Sequence, residues 1–128
     1  MALRAEAIMS SALDTVRQLD EAFNRGDLEA VLSFYADDAT VVLEPGRLAV
    51  GKEQLRETFR FVLTLGGKAE QLKTNVIENG DLALFTSEWT FTGADFQRRS
   101  FANTVLRRQV SGQWLVVIDN SWGPAILA

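Results

Sequence analysis

Glu44 stands directly before Pro45-Gly46, and Asp119-Asn120 end the apolar run Trp114 to Ile118; these positions are the first candidates for chemistry. A carboxylate beside an apolar pocket has its pKa raised by desolvation and can serve as a general base. Glu44 fills that role if its side chain turns inward, whereas a Glu-Pro-Gly turn in solvent makes it an ordinary surface acid. Asp119 and Asn120 are adjacent on a strand, so their side chains face opposite ways and at most one enters a pocket. A polar pair in so apolar a strand needs partners or water. Asp119 finds them in a pocket, as acid–base group or polar anchor, or both residues bond to neighbouring turns.

Two absences narrow the chemistry. The chain has no histidine and no cysteine, which excludes Ser-His and Cys-His nucleophiles, imidazole or thiolate metal ligation and disulfides. Acid–base work near neutral pH then falls to a carboxylate, a lysine, Tyr35 or a bound water. Asp37-Asp38 alone make a weak metal site, so no metal or cofactor is expected. A net charge of −4 gives no global attraction for nucleic acid. Arg98-Arg99 and Arg107-Arg108 are short pairs that a strand splits between its faces.

The elements that must position these residues follow from periodicity. Apolar residues at Ile8, Ala12, Val16, Leu19 and Phe23 predict a helix over Ala5 to Arg25, closed at Gly26. Asp27 caps a second helix, Leu28 to Tyr35. Ala39 to Leu43 reads as a strand that ends at Glu44-Pro45-Gly46. A third helix follows Gly51, with Leu55, Thr58, Phe59 and Val62 on one side, and stops at Gly66-Gly67. The period then falls to two: strands at Leu72 to Ile77, Leu82 to Thr92, Phe96 to Val110 and Gln113 to Trp122, the first pair joined by an Asn79-Gly80 type I′ turn.

Helices grouped before an antiparallel meander predict one α+β domain over residues 1–128, with the helices on one face of a sheet that curves around a pocket. Phe85, Ser87, Trp89 and Phe91 share one face of their strand, and the small hydroxyl residue among aromatics suggests space left open. Each aromatic is equally readable as core. Tyr35 is expected to place its hydroxyl at the cavity mouth or to close the core. Trp122 covers the pocket or anchors the C-terminus. With 47% hydrophobic and 23% charged residues, no run near the ~20 apolar residues of a membrane span and no signal-peptide pattern, the expectation is a folded, non-membrane, cytoplasmic protein.

Asn24-Arg-Gly-Asp-Leu28, Phe34-Tyr-Ala-Asp-Asp-Ala-Thr40, the helix opened by Gly51 and the ending Gly112 to Gly123 together resemble the nuclear-transport-factor-2-like superfamily, in its SnoaL-like, ketosteroid-isomerase-like branch. The resemblance implies a conical cystatin-like fold and a homodimer packed through the sheet. Its functions range over isomerases, dehydratases, cyclases, epoxide hydrolases and non-catalytic modules, so the fold does not fix the reaction. Where the isomerase keeps an oxyanion-hole tyrosine and a protonated carboxylate, this chain has Leu19 and Thr104. Glu44 precedes proline as that enzyme's base does, but one residue late, and one residue on a strand is a change of face. Loss of an oxyanion donor costs roughly two to three powers of ten in rate, so steroid isomerisation is not expected. The resemblance also puts Phe59, Phe85, Trp89 and Phe91 on the cavity wall, gives Val117, Asp119 and Ser121 cavity-facing parity, and turns Asn120 towards the dimer face.

Three functions stay open. One is a domain that binds a small apolar or aromatic ligand among Glu44, Ser87, Thr104 and Asp119. Another is an isomerase or dehydratase with Glu44 or Asp119 as base on a hydrophobic carbonyl or polyketide-like substrate. The third is an assembly module with a vestigial pocket.

Overall fold

The computed structural model describes residues 11–128. Helix α1, Ala12–Asn24, begins at a capping box in which the Ser11 hydroxyl accepts from the Asp14 amide (3.1 Å) and the Asp14 carboxylate from the Ser11 amide (3.3 Å). The expected helical start at Ala5, with Ile8, lies outside the described residues. Gly26, at φ +75°, turns the chain as a left-handed residue should, and Asp27 caps α2, Leu28–Ser33.

The second helix stops two residues earlier than its periodicity predicts. Tyr35 opens strand β1, Tyr35–Glu44, instead of closing the helix. The Phe34 carbonyl accepts from the Val116 amide (2.9 Å), so the chain is captured by a strand distant in sequence. A short strand that the sequence reading passed over, β2 (Arg47–Val50), folds back on β1 through Pro45-Gly46. Its four residues bury only Ala49, too brief an alternation to stand out. Helix α3, Gly51–Thr64, matches its expected bounds and buries Leu55 and Phe59.

Strands β3 (Lys68–Asn79), β4 (Leu82–Thr92), β5 (Gln97–Arg108) and β6 (Trp114–Asn120) complete a six-stranded open sheet in the order β2-β1-β6-β5-β4-β3. Every pairing is antiparallel except β1 with β6, which is parallel. The β3–β4 loop is Gly80-Asp81, with Asn79 and Leu82 paired across it. Only glycines adopt positive φ among the described residues, and Gly80 does so at +60°. That is the signature of a type II′ turn, not the expected I′, which needs positive φ at both central positions.

Register shifts interrupt the ladders after Val42, after Gln71 and between Val105 and Leu106. Each bulge bends its strand and increases local twist, so the sheet curves around the helices. The core lies between that concave face and the helices, with Val31, Leu55, Phe85, Leu106 and Val116 fully buried. The α+β arrangement agrees with expectation. Beyond β6 a short 3₁₀ helix, Gly123–Leu127, closes the chain. Gly123 has φ +54°, and a Cβ there would sit 2.6 Å from the Phe101 carbonyl oxygen. No helix among the described residues is long and apolar enough to cross a membrane.

Candidate functional site

Between α1, α3 and the concave sheet lies a cavity of ≈ 440 Å³. Its wall is mostly apolar and aromatic: Leu19 and Phe23 from α1, Phe59 from α3, and Phe85, Trp89 and Phe91 from β4. The β4 residues alternate towards the cavity because a strand shows every second side chain to one face. Ser87, between Phe85 and Trp89, is 3% exposed, and its hydroxyl has no hydrogen-bond partner. The space suggested by a small residue in an aromatic row is there.

The polar groups gather around two carboxylates. Asp119, on β6, accepts from the Tyr35 hydroxyl at 2.6 Å. Thr104 is its direct cross-strand neighbour and sets a second hydroxyl beside the carboxylate. Burial raises the Asp119 pKa, and the two hydroxyl donors oppose the rise without cancelling it. Tyr35 is 3% exposed and packs its ring 5.2 Å from that of Phe59. Burial and the neighbouring aspartates push its phenol well above its usual pKa, so it stays a donor. Tyr35 lines the cavity from the start of β1, buried and bonded to Asp119.

The second carboxylate is Asp20, which sequence reasoning missed. It stands four residues after Val16 and three before Phe23, so a charge occupies the apolar stripe of α1, and that was the available signal. Burial raises its pKa to about 6, against the lowering effect of a hydrogen bond from Gln71 Nε2 (3.0 Å), with the Asp119 charge adding to the rise. Asn24 fixes this geometry. Its side chain donates to the Ala69 carbonyl (2.9 Å) and accepts from the Ala69 amide (2.8 Å), clamping the end of α1 to β3 two residues before Gln71. The other Gln71 side-chain atom, Oε1, is buried without a partner.

Three expected site residues lie elsewhere. Glu44 is exposed at the β1–β2 turn and accepts from Arg47 at 2.7 Å, outside the cavity. The register shift between Val42 and Glu44 does not turn it inward. Val117 falls in the β5–β6 bulge, where Leu106 pairs with Val116 and Val105 with Ile118, so the strand changes face. Cavity-facing parity therefore holds for Asp119 and Ser121 and fails for Val117. Asn120 is 7% exposed and spends its side chain on the C-terminal turn, donating to the Gly123 carbonyl (3.2 Å) and accepting from the Trp122 amide (3.1 Å). Trp122 lines the cavity and ties its rim together, since its indole donates to the Leu43 carbonyl at 2.9 Å.

This fold has parallels among known proteins. The profile of the SnoaL-like domain matches residues 16–117. The chain belongs to the SnoaL-like family. A nuclear-transport-factor-2-like protein of unknown function from Pseudomonas putida KT2440 superposes with TM-score 0.77 at 22% identity, over 93% of this chain and 88% of that one. A candidate ketosteroid isomerase from Shewanella frigidimarina NCIMB 400 gives 0.76 at 19% identity, over 88% and 95%. A cystatin-like-fold protein of unknown function from Nostoc punctiforme PCC 73102 gives 0.70 at 22%, over 86% and 90%. Identities this low establish the shared fold of the SnoaL-like domain and no shared reaction. Comparison with curated proteins finds no match.

Proposed function

We propose that this SnoaL-like domain binds a small apolar or aromatic molecule inside its cone. The observation that carries the reading is a ≈ 440 Å³ apolar cavity whose wall holds two buried polar atoms without partners, Ser87 Oγ and Gln71 Oε1. Small-molecule sites run to roughly 300–1,000 Å³, with few polar groups among apolar ones. Buried polar atoms left unpaired each cost about 1–3 kcal/mol, which a ligand's hydroxyl or carbonyl recovers. The test is a thermal-shift panel of steroids, flavonoids and polyketide fragments. A ligand at a hundredfold its Kd stabilises the wild type by about 2.7 kcal/mol. Ser87→Leu, which fills the space, should abolish that shift. Equal shifts in both proteins, or none in the wild type, would remove the reading.

A second reading has its own support in the carboxylate pair. Asp20, with a pKa of about 6, and Asp119, held beside two hydroxyls, suit proton transfer on a hydrophobic carbonyl substrate, as in an isomerase or dehydratase. Under that reading Asp119→Asn lowers kcat about a hundredfold or more, while ligand affinity is kept. Unchanged turnover in the variant would exclude Asp119 as the proton-transfer group.

The outer sheet face supports pairing of two copies. Leu84, Val105 and Ile118 lie in one row across β4, β5 and β6, with Leu84 at 40% and Ile118 at 46% exposure. A monomer mass in light scattering at micromolar concentration would remove the dimer.

A further inference from the structure

The charges on the cavity wall are unevenly placed. Asp20 and Asp119 belong to its acidic part, and the single cation among the described lining residues is Arg98 of β5. Arg98 is six residues from Thr104 on the same face, roughly 20 Å along the strand, and two strands and one row from Gln71, roughly 12 Å across the sheet. Its guanidinium lies 3.7 Å from the centroid of the Trp122 ring, which the Leu43 carbonyl holds in place. Stacking of that kind fixes the guanidinium plane while leaving its N–H edge free for a planar anion.

The Arg98 side chain takes part in none of the ion pairs or side-chain hydrogen bonds among the described residues. Its neighbour Arg99 points to the outer face and pairs with Glu88 at 2.6 Å. The inward arginine is thus the unpaired one. Burial lowers its pKa from the usual guanidinium value, yet arginine remains charged in proteins. At the acidic part the demand is opposite. Gln71 Oε1 only accepts, the carboxylates accept, and an anion there would meet two acids.

Building on the reading of the cone as a ligand site, we infer that its ligand is an elongated apolar carboxylate with a hydroxyl at the opposite end. The carboxylate lies against Arg98, the ring system against Phe85, Trp89 and Phe91, and the hydroxyl donates towards the Asp20–Gln71–Ser87 group. The sign of the wall charge fixes the orientation. The reverse orientation would set the ligand's anion against the aspartates and leave Arg98 without a partner.

The test uses three probes on the intact chain by calorimetry: a biphenyl carrying hydroxyl and carboxylate at opposite ends, its methyl ester, and the hydroxybiphenyl without the acid. The wild type should bind the acid about tenfold more tightly than the ester, the scale of one partly exposed charged contact. Arg98→Gln should remove that preference while keeping ester affinity within about twofold, and Arg98→Lys, which keeps the charge but not the stacked planar fork, should retain only part of it. Ester binding equal to or tighter than acid binding would overturn the inference and leave the ligand-site reading standing. So would a ratio unchanged in Arg98→Gln, or one lost equally in Arg98→Lys. Failure of all three probes to bind would count against the ligand site itself and the inference with it.

Discussion

Glu44 and Asp119 sit towards the ends of neighbouring strands, β1 and β6, and their surroundings differ completely. Glu44 is half-exposed, bonded to Arg47 across a tight turn, in an ion pair of the kind worth about 0–1 kcal/mol. Asp119 faces the apolar cavity and is held by the Tyr35 hydroxyl, with Thr104 across from it and its pKa raised by burial. Residue type made both plausible bases. Enclosure separates them, because only a desolvated carboxylate has a proton affinity worth using near neutral pH. Asp20 strengthens the contrast, since it was inconspicuous in the sequence and carries a pKa of about 6.

The largest expected effect concerns Asp20. Folded Asp20 keeps its proton up to about pH 6, and the unfolded chain releases it near 3.8. The native state therefore binds more protons in that window, and stability falls as pH rises through it, by about 3 kcal/mol in all. Urea unfolding of Asp20→Asn across pH 4–7 should lose most of this slope and exceed the wild type at pH 7. A slope identical in both proteins would break the contrast at its strongest point.

Next comes the Tyr35 hydroxyl. Tyr35→Phe removes its hydrogen bond to the buried Asp119 and should cost about 1–3 kcal/mol at pH 7 in the same assay. A loss near zero would mean that Asp119 is already satisfied without it. The smallest effect is at the turn. Glu44→Gln should change stability by less than about 1 kcal/mol and leave ligand affinity untouched, and a larger loss would place the turn within the site.

Much of the fold was legible because its signals are local. The Gly26-Asp27 junction, helix α3 and the bounds of β4 follow from caps, glycines and alternation within a few residues. The cavity row Phe85, Ser87, Trp89 was readable for the same reason, being one strand's own parity. Arg98 shares the face of Thr104 by that count and was overlooked beside Arg99. Other features needed partners distant in the chain. Tyr35 leaves its helix because β6 captures the Phe34 carbonyl, and no local pattern announces a parallel pairing. The bulge at Val117 moves the cavity-facing positions of β6, an offset fixed by the register with β5.

The sequence by itself determined which chemistry is possible: with neither histidine nor cysteine, proton transfer near neutral pH rests mainly on carboxylates. It also determined helices ahead of a curved meander, through periods that each segment carries alone. Tertiary structure decided which carboxylates count. It left Glu44 in water and enclosed Asp20 and Asp119 together, because desolvation is a property of what surrounds a group and not of the residue.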